Sequence, residues 1–243
     1  MKKLDILVFS AHPDDAELGC AGTILKHIDM GFQVGIVDLT KGELGTRGTP
    51  EIRMQEANNA SKILGLSARV NLGLSDGFFS DSMYECLKIM EQIRYYQPEI
   101  IICNAPKDRH PDHGKGNEVV VKAIFLSGLR KIETNFEGLQ QTPWRAKTIF
   151  SYIQDQYLVP DFIVDITSYW KQKKASILAY RSQFWNPESD EPSSYISSQE
   201  FIEFIEARNK EMGHAIGTKY GEGFIKHQQL EVKNLFDLQK ISN

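Results

Sequence analysis

Two short stretches of this 243-residue chain crowd together side chains that bind metals and move protons. Residues 11–18 read Ala11-His12-Pro13-Asp14-Asp15-Ala16-Glu17-Leu18, and residues 110–113 read His110-Pro111-Asp112-His113. Imidazole nitrogen and carboxylate oxygen are the usual non-sulfur ligands of zinc, and a catalytic zinc keeps a fourth position for water beside three protein ligands. The same donors admit iron, manganese or cobalt, so ligand chemistry alone leaves the metal open. Each stretch also has an ordinary explanation. An Asp at a helix start is favoured by capping and by the helix dipole, and a lone histidine is usually structural or solvated. Those explanations account for one Asp, but not for His12 or for two histidines around Asp112. Paired at one place, the stretches point to a metal site.

The elements around them decide whether they pair. Residues 4–11 form a short apolar run that reads as a strand buried on both faces. A helix is expected over 17–30, a strand over 33–39, a helix over 51–64 closed by Gly65, a strand over 68–72, a helix over 83–96, a strand over 99–104 and a helix over 117–126. Such alternation implies an α/β, Rossmann-like three-layer domain with a mainly parallel twisted sheet and right-handed crossovers. Loops 12–15, 41–50 and 106–113 then leave the carboxyl ends of strands, where such sheets bind ligands. Beyond them, strands are expected over 147–153 and 162–166, and helices over 169–180 and 199–212. Residues 184–198, polar and holding Pro187 and Pro192, form a loop long enough either to cover a site or to be disordered. With no internal repeat or low-complexity segment, residues 1–243 read as one domain.

Composition narrows the partners. The 41% hydrophobic content and length suffice for a core without disulfides, so a metal need not be structural. Net charge is −4, with no Lys/Arg block, which argues against nucleic acid. Lys171, Lys173 and Lys174 read as the wet face of a helix. Cys20, Cys86 and Cys103 are odd in number and lie in or near apolar stretches, suggesting buried thiols in a reducing compartment. Lys2 and Lys3 imitate a signal peptide, but Asp5 interrupts and the apolar run ends at His12-Pro13-Asp14-Asp15 without a cleavage site. No segment is long and apolar enough to span a membrane. A cytoplasmic protein is expected.

Residues 11–23 (AHPDDAELGCAGT) together with His110-Pro111-Asp112-His113 resemble the PIG-L/LmbE-like zinc-dependent deacetylases of N-acetylglucosamine compounds. Weaker pieces agree: residues 40–45 (TKGELG), Arg53 with Glu56, Leu72-Gly73-Leu74 leading to Asp76, and Tyr220-Gly221-Glu222-Gly223-Phe224. The resemblance implies one zinc per chain, held by His12, Asp15 and His113. It makes Asp14 the general base and His110 the oxyanion contact, with Asp112 holding the His110 imidazole, raising its pKa and keeping it charged. Arg53 matches a substrate-contacting position; otherwise it is a surface arginine pairing with Glu56. The nearest pattern is that of the bacillithiol-biosynthesis deacetylases, whose substrate is N-acetylglucosaminyl malate. Arg109 or Arg47 would then hold a carboxylate, although a solvated Arg109 is an equal alternative. The resemblance also implies a small N-acetylated sugar as partner, and a homo-oligomer, with a hexamer among its forms.

Other readings remain open. A Rossmann-like nucleotide-sugar-binding protein could use Gly42 to Gly48, but no glycine fingerprint follows the first strand. A metal-dependent esterase or phosphatase would use the same activated water. Tyr195 and Trp185 either stack on a sugar or anchor their loop. His27, His214 and His227 read as structural or exposed, and Cys20 as a buried thiol.

Overall fold

Residues 3–238 are described by a computed structural model. In chain order the elements are β1 (Ile6–Ser10), α1 (Asp15–Asp29), β2 (Val34–Thr40), α2 (Pro50–Leu64), β3 (Ala68–Leu74), α3 (Met83–Tyr96), β4 (Ile100–Cys103) and α4 (Pro111–Ser127). A small hairpin, β5 (Asn135–Phe136) and β6 (Leu139–Gln140), precedes β7 (Thr148–Tyr152), β8 (Phe162–Asp165), α5 (Trp170–Leu178), α6 (Gln199–Ile216) and β9 (Gly221–Lys226). The central sheet has the order β3-β2-β1-β4-β7-β9-β8. Its first five strands are parallel, and β9 runs antiparallel to both β7 and β8.

Period-two alternation in β1 shows why the sheet is a middle layer. Leu7 and Phe9 join a core with Ile89, Ile93, Val119 and Ala123 of α3 and α4. Ile6 and Val8 turn the other way, onto Ala21 and Ile24 of α1. A third core, on the α1 side, joins α2, α5 and α6 through Ala60, Ile177, Tyr180 and Ile205. Burial on both faces is what an uninterrupted apolar strand requires.

Local signals fix the helix ends. Thr49 accepts a bond from the Ile52 amide at 3.3 Å, Pro50 occupies the first turn, and Gly65 closes α2 at φ 73°. Helix α4 starts at Pro111, well before the expected 117–126, with His110 as its N-cap. Gly114 and Gly116 disguise that start. Their missing side chains let the first turns lie against the Pro106 carbonyl and the Asn104 side chain, where a Cβ would come within 3.3 and 3.4 Å.

Helix α1 is broken at Cys20 (φ −147°, ψ 17°). The Glu222 carboxylate of β9 fills the break, accepting from the Gly22 and Thr23 amides at 2.9 and 2.7 Å. Lys173 of α5 donates to the Leu18 carbonyl at 2.8 Å and to Glu222 Oε1 at 2.6 Å. This corrects the wet-face reading of Lys173: its side chain is 1% exposed, whereas Lys171 is exposed and Lys174 half-buried. Strand β9 was likewise not expected: Gly221 and Gly223 weaken its strand propensity, and pairing on both edges overrides that. No helix among the described residues is long and apolar enough to cross a membrane.

Candidate active site

Strands β1 and β4 are adjacent, and the chain leaves them toward opposite halves of the sheet, which opens a crevice at their carboxyl ends. The Asn104 side chain bridges that point, its Oδ1 accepting from the Ala11 amide at 2.8 Å. A cavity of about 350 Å³ opens here, and His12, Asp14, Asp15, Arg53, Arg109, His110 and His113 all line it.

Asp14 occupies the N-cap position of α1 without a side-chain cap bond. Its backbone lies at φ 120°, a conformation that costs a non-glycine residue about 1–3 kcal/mol and persists only where its surroundings enforce it. Here the enforcing group is Arg53, whose Nη2 donates to Asp14 Oδ2 at 2.7 Å and whose Nε donates to the Pro13 carbonyl at 3.0 Å. Burial pushes the Asp14 carboxyl up to about 7, although Arg53 works against that shift. Arg53 is therefore buried at the site, and the surface pairing with Glu56 does not occur; Glu56 binds the amide and hydroxyl of Ser182 instead.

The two histidines flank Asp15. His12 Nε2 lies 2.9 Å from Asp76 Oδ1 and 3.2 Å from Asp112 Oδ2, while its Nδ1 is 3.6 Å from Asp15 Oδ2. His113 Nδ1 bonds Asp108, while its Nε2 is 3.1 Å from Asp15 Oδ1. Each imidazole is thus oriented through one nitrogen by carboxylates and turns the other toward Asp15. Burial opposes charge on both rings. For His12, hydrogen bonds to Asp112, Asp15 and Asp76 outweigh burial and raise the pKa well above its usual value. For His113, the Asp15 charge and the Asp108 bond raise it to about 9. The His113 charge and the bonds from both histidines hold Asp15 well below the carboxylate range despite burial.

His110 behaves differently from expectation. The Asp112 carboxylate does not hold its ring; it faces His12 and accepts from the Gly77 amide at 2.8 Å. It is the Asp112 backbone N–H that donates to His110 Nδ1, at 3.3 Å. Burial, then the charges of His12 and His113, lower the His110 pKa and override the Asp112 charge. With Nδ1 accepting from the Asp112 amide, a single ring proton sits on Nε2.

Donor atoms of His12, His110 and His113 lie within 4.8 Å of one another, as do those of His12, Asp76 and Asp112. Hydrogen bonding discriminates among these nitrogens, because His12 Nε2, His113 Nδ1 and His110 Nδ1 are already engaged. His12 Nδ1 and His113 Nε2 instead face the Asp15 carboxylate, and the carboxylates behind both rings resemble those that orient metal-bound imidazoles. The same negative surroundings favour a cation.

Arg109 stands at the rim. It pairs with Asp155 and lies over the Tyr195 ring, its guanidinium carbon 4.2 Å from the centroid, while the Tyr195 hydroxyl donates to Asp155 at 3.0 Å. Arg47 lines the cavity but is committed to the 184–198 loop and the residue pair before it, donating to the carbonyls of Pro192 and Ser182 and to Ser189 Oγ. Ser194 to Ile196 of that loop face the cavity, and Trp185 is not among its lining residues. Cys20 is buried, and burial raises its thiol pKa. His27 bonds the Thr23 carbonyl, His214 is exposed, and His227 bonds Ser151. Sequence reasoning gave no role to Asp76, Asp108, Asn104 or Gln154. Asp108 lies two residues before the second His/Asp stretch, and the others follow β3, β4 and β7.

A model of the PIG-L family (GlcNAc-PI de-N-acetylase) matches residues 7–124. A solved conserved protein of Thermus thermophilus is 37% identical, with a TM-score of 0.83 over 95% of this chain and 98% of that one. The chain belongs to the PIG-L family. Another similar structure is the N,N'-diacetylchitobiose deacetylase of Pyrococcus horikoshii, 27% identical, with a TM-score of 0.75 over 91% and 82% of the two chains. A probable N-acetyl-α-D-glucosaminyl L-malate deacetylase of Bacillus subtilis is 32% identical over 136 residues, which are 51% of this chain and 62% of that protein. The PIG-L match takes in both His/Asp stretches, Arg53 and Asp76, and stops before β7, β8 and β9.

Proposed function

We propose that this chain hydrolyses the acetamide of an N-acetylglucosamine conjugate, N-acetylglucosaminyl malate by preference, with one zinc held by His12, Asp15 and His113. The observation that carries this reading is the pair of carboxylate-oriented imidazoles turned onto Asp15, with the strained Asp14 beside them in the same cavity. Zinc, when bound, supplies a Lewis acid for the acetamide carbonyl and lowers the pKa of water from 15.7 to about 7.

The chain's own groups do the rest. Asp14, oriented by Arg53 and titrating near neutrality, takes a proton from the attacking water as its oxygen bonds the acetyl carbon. It returns that proton to the nitrogen as the C–N bond breaks, releasing acetate and the free amine. His110, donating through Nε2–H, bonds the oxygen on which charge develops. Asp112 and Asp76 orient His12, a different task for Asp112 from the one the resemblance implied. Arg53 acts on substrate through Asp14, and Arg109, Asp155 and Tyr195 form the wall against the sugar's substituent. The 184–198 loop covers that end, and malate places carboxylates near Arg109. In this reading the whole chain is one domain, working on a small sugar as a homo-oligomer.

The test compares kcat/KM for amine release from N-acetylglucosaminyl malate, N-acetylglucosamine and chitobiose, alongside metal analysis. The malate conjugate should lead. Equal values would reject the malate preference; stoichiometric metal without amine release would reject deacetylation in favour of another hydrolysis; and absence of metal would favour a binding protein.

A further inference from the structure

Both oxygens of Asp15 accept hydrogen bonds from neutral side-chain amides that follow two different strands. Asn104, directly after β4, donates through Nδ2 to Asp15 Oδ2 at 2.9 Å, and the His12 backbone amide donates to the same oxygen at 2.9 Å. Gln154, two residues past β7, donates through Nε2 to Asp15 Oδ1 at 3.0 Å. The two side chains also bond each other, Asn104 Nδ2 to Gln154 Oε1 at 3.0 Å. Their orientation is decided by groups that can only donate: the Ala11 amide requires Asn104 Oδ1, and the Ala105 amide, at 3.3 Å, requires Gln154 Oε1. The NH₂ ends are thereby forced onto Asp15. Asn117 Nδ2 anchors the Asn104 carbonyl at 2.8 Å, and Asn104, Asn117 and Gln154 are all buried.

We infer that Asn104 and Gln154 are positioning residues that lock the Asp15 carboxylate so that one oxygen faces each histidine, and so set the affinity of the site for its cation. This rests on the zinc reading given above. Gln154 Nε2 lies only 3.4 Å from His113 Nε2, yet an NH₂ group cannot ligate a cation. A side chain of ligand-like reach is therefore turned into a clamp on Asp15. The amides carry no charge into a cluster that already holds Asp14, Asp15, Asp76, Asp108 and Asp112.

The test uses the full chain stripped of metal, titrated with Zn²⁺ in competition with a chromogenic chelator. Gln154→Met preserves length and removes the donors; Asn104→Leu removes the bridge as well and risks the fold, so Gln154→Met decides. Its Zn²⁺ affinity should fall by roughly 10–100-fold, with kcat recovering toward that of the unaltered enzyme at saturating zinc. A purely structural role would lower the melting temperature and leave affinity unmoved. Zn²⁺ binding by Gln154→Met equal to that of the unaltered chain overturns the inference alone. An unaltered chain that takes up no Zn²⁺ overturns the zinc reading, and the inference with it.

Discussion

Asp14 combines a backbone angle at which L-residues are strained with a buried carboxylate on Arg53. Those two costs separate experimentally. Asp14→Ala and Asp14→Gly both remove the ion pair, but only glycine relaxes at φ 120°, so the Gly variant should unfold at higher urea, by about 1 kcal/mol or more. In both, zinc should remain bound while kcat drops by about 10²–10⁴-fold; loss of zinc would mean that the roles of Asp14 and Asp15 are exchanged. His12, Asp14, Asp15, His110 and His113 were legible because they sit in two compact stretches. Asp112 was legible as a residue and misread in its partner, since a carboxylate two positions from a histidine gives no hint that it turns to a ring on another strand.

The broken helix α1 carries its own test. Replacing Lys173 by Met leaves Glu222 buried with no cation, which should cost roughly 3–5 kcal/mol in urea unfolding. Adding Glu222→Gln should recover much of that loss, because the uncompensated charge disappears. A single variant as stable as the unaltered chain would show that the pair is dispensable. On the neighbouring strand β7, Ser151 holds His227, and burial lowers the His227 pKa from its usual 6.5. The fold thus favours neutral His227, and its contribution is fully present above pH 6.5 and lost as pH falls through the lowered folded value. His227→Gln should flatten the decline in melting temperature below pH 6.5 relative to the unaltered chain; parallel curves would dismiss the linkage. Element boundaries in the first half were readable to within a few residues from apolar periodicity and glycine stops. Strand β9 and the early start of α4 were hidden by glycines whose role is close packing.

At the scale of the molecule, the alternating pattern foretold the parallel sheet, and with it the edge where the loops meet. Strand order was not readable, and strand order is what places Asn104 beside Ala11 and brings Asp76 to His12. The 184–198 loop could be read as cover or as disorder; the structure fastens it through Arg47 and through the Gly48 amide on Glu191 at 2.9 Å. Arg47→Ala should therefore raise the rate of limited proteolysis between 184 and 198 and raise KM more than it lowers kcat. Unchanged cleavage would show that the loop holds itself in place.

A ribosome makes Glu222 about 200 residues after the Gly22 amide that it braces. Until β9 emerges, the Gly22 and Thr23 amides lack their acceptor and Lys173 has no buried partner. The helix behind the His/Asp cluster is consequently braced only once β9 is made, so a nascent chain presents its His12–Asp15 loop on an unfinished support. Released chains ending before and after residue 226 should differ sharply in the protease resistance of α1.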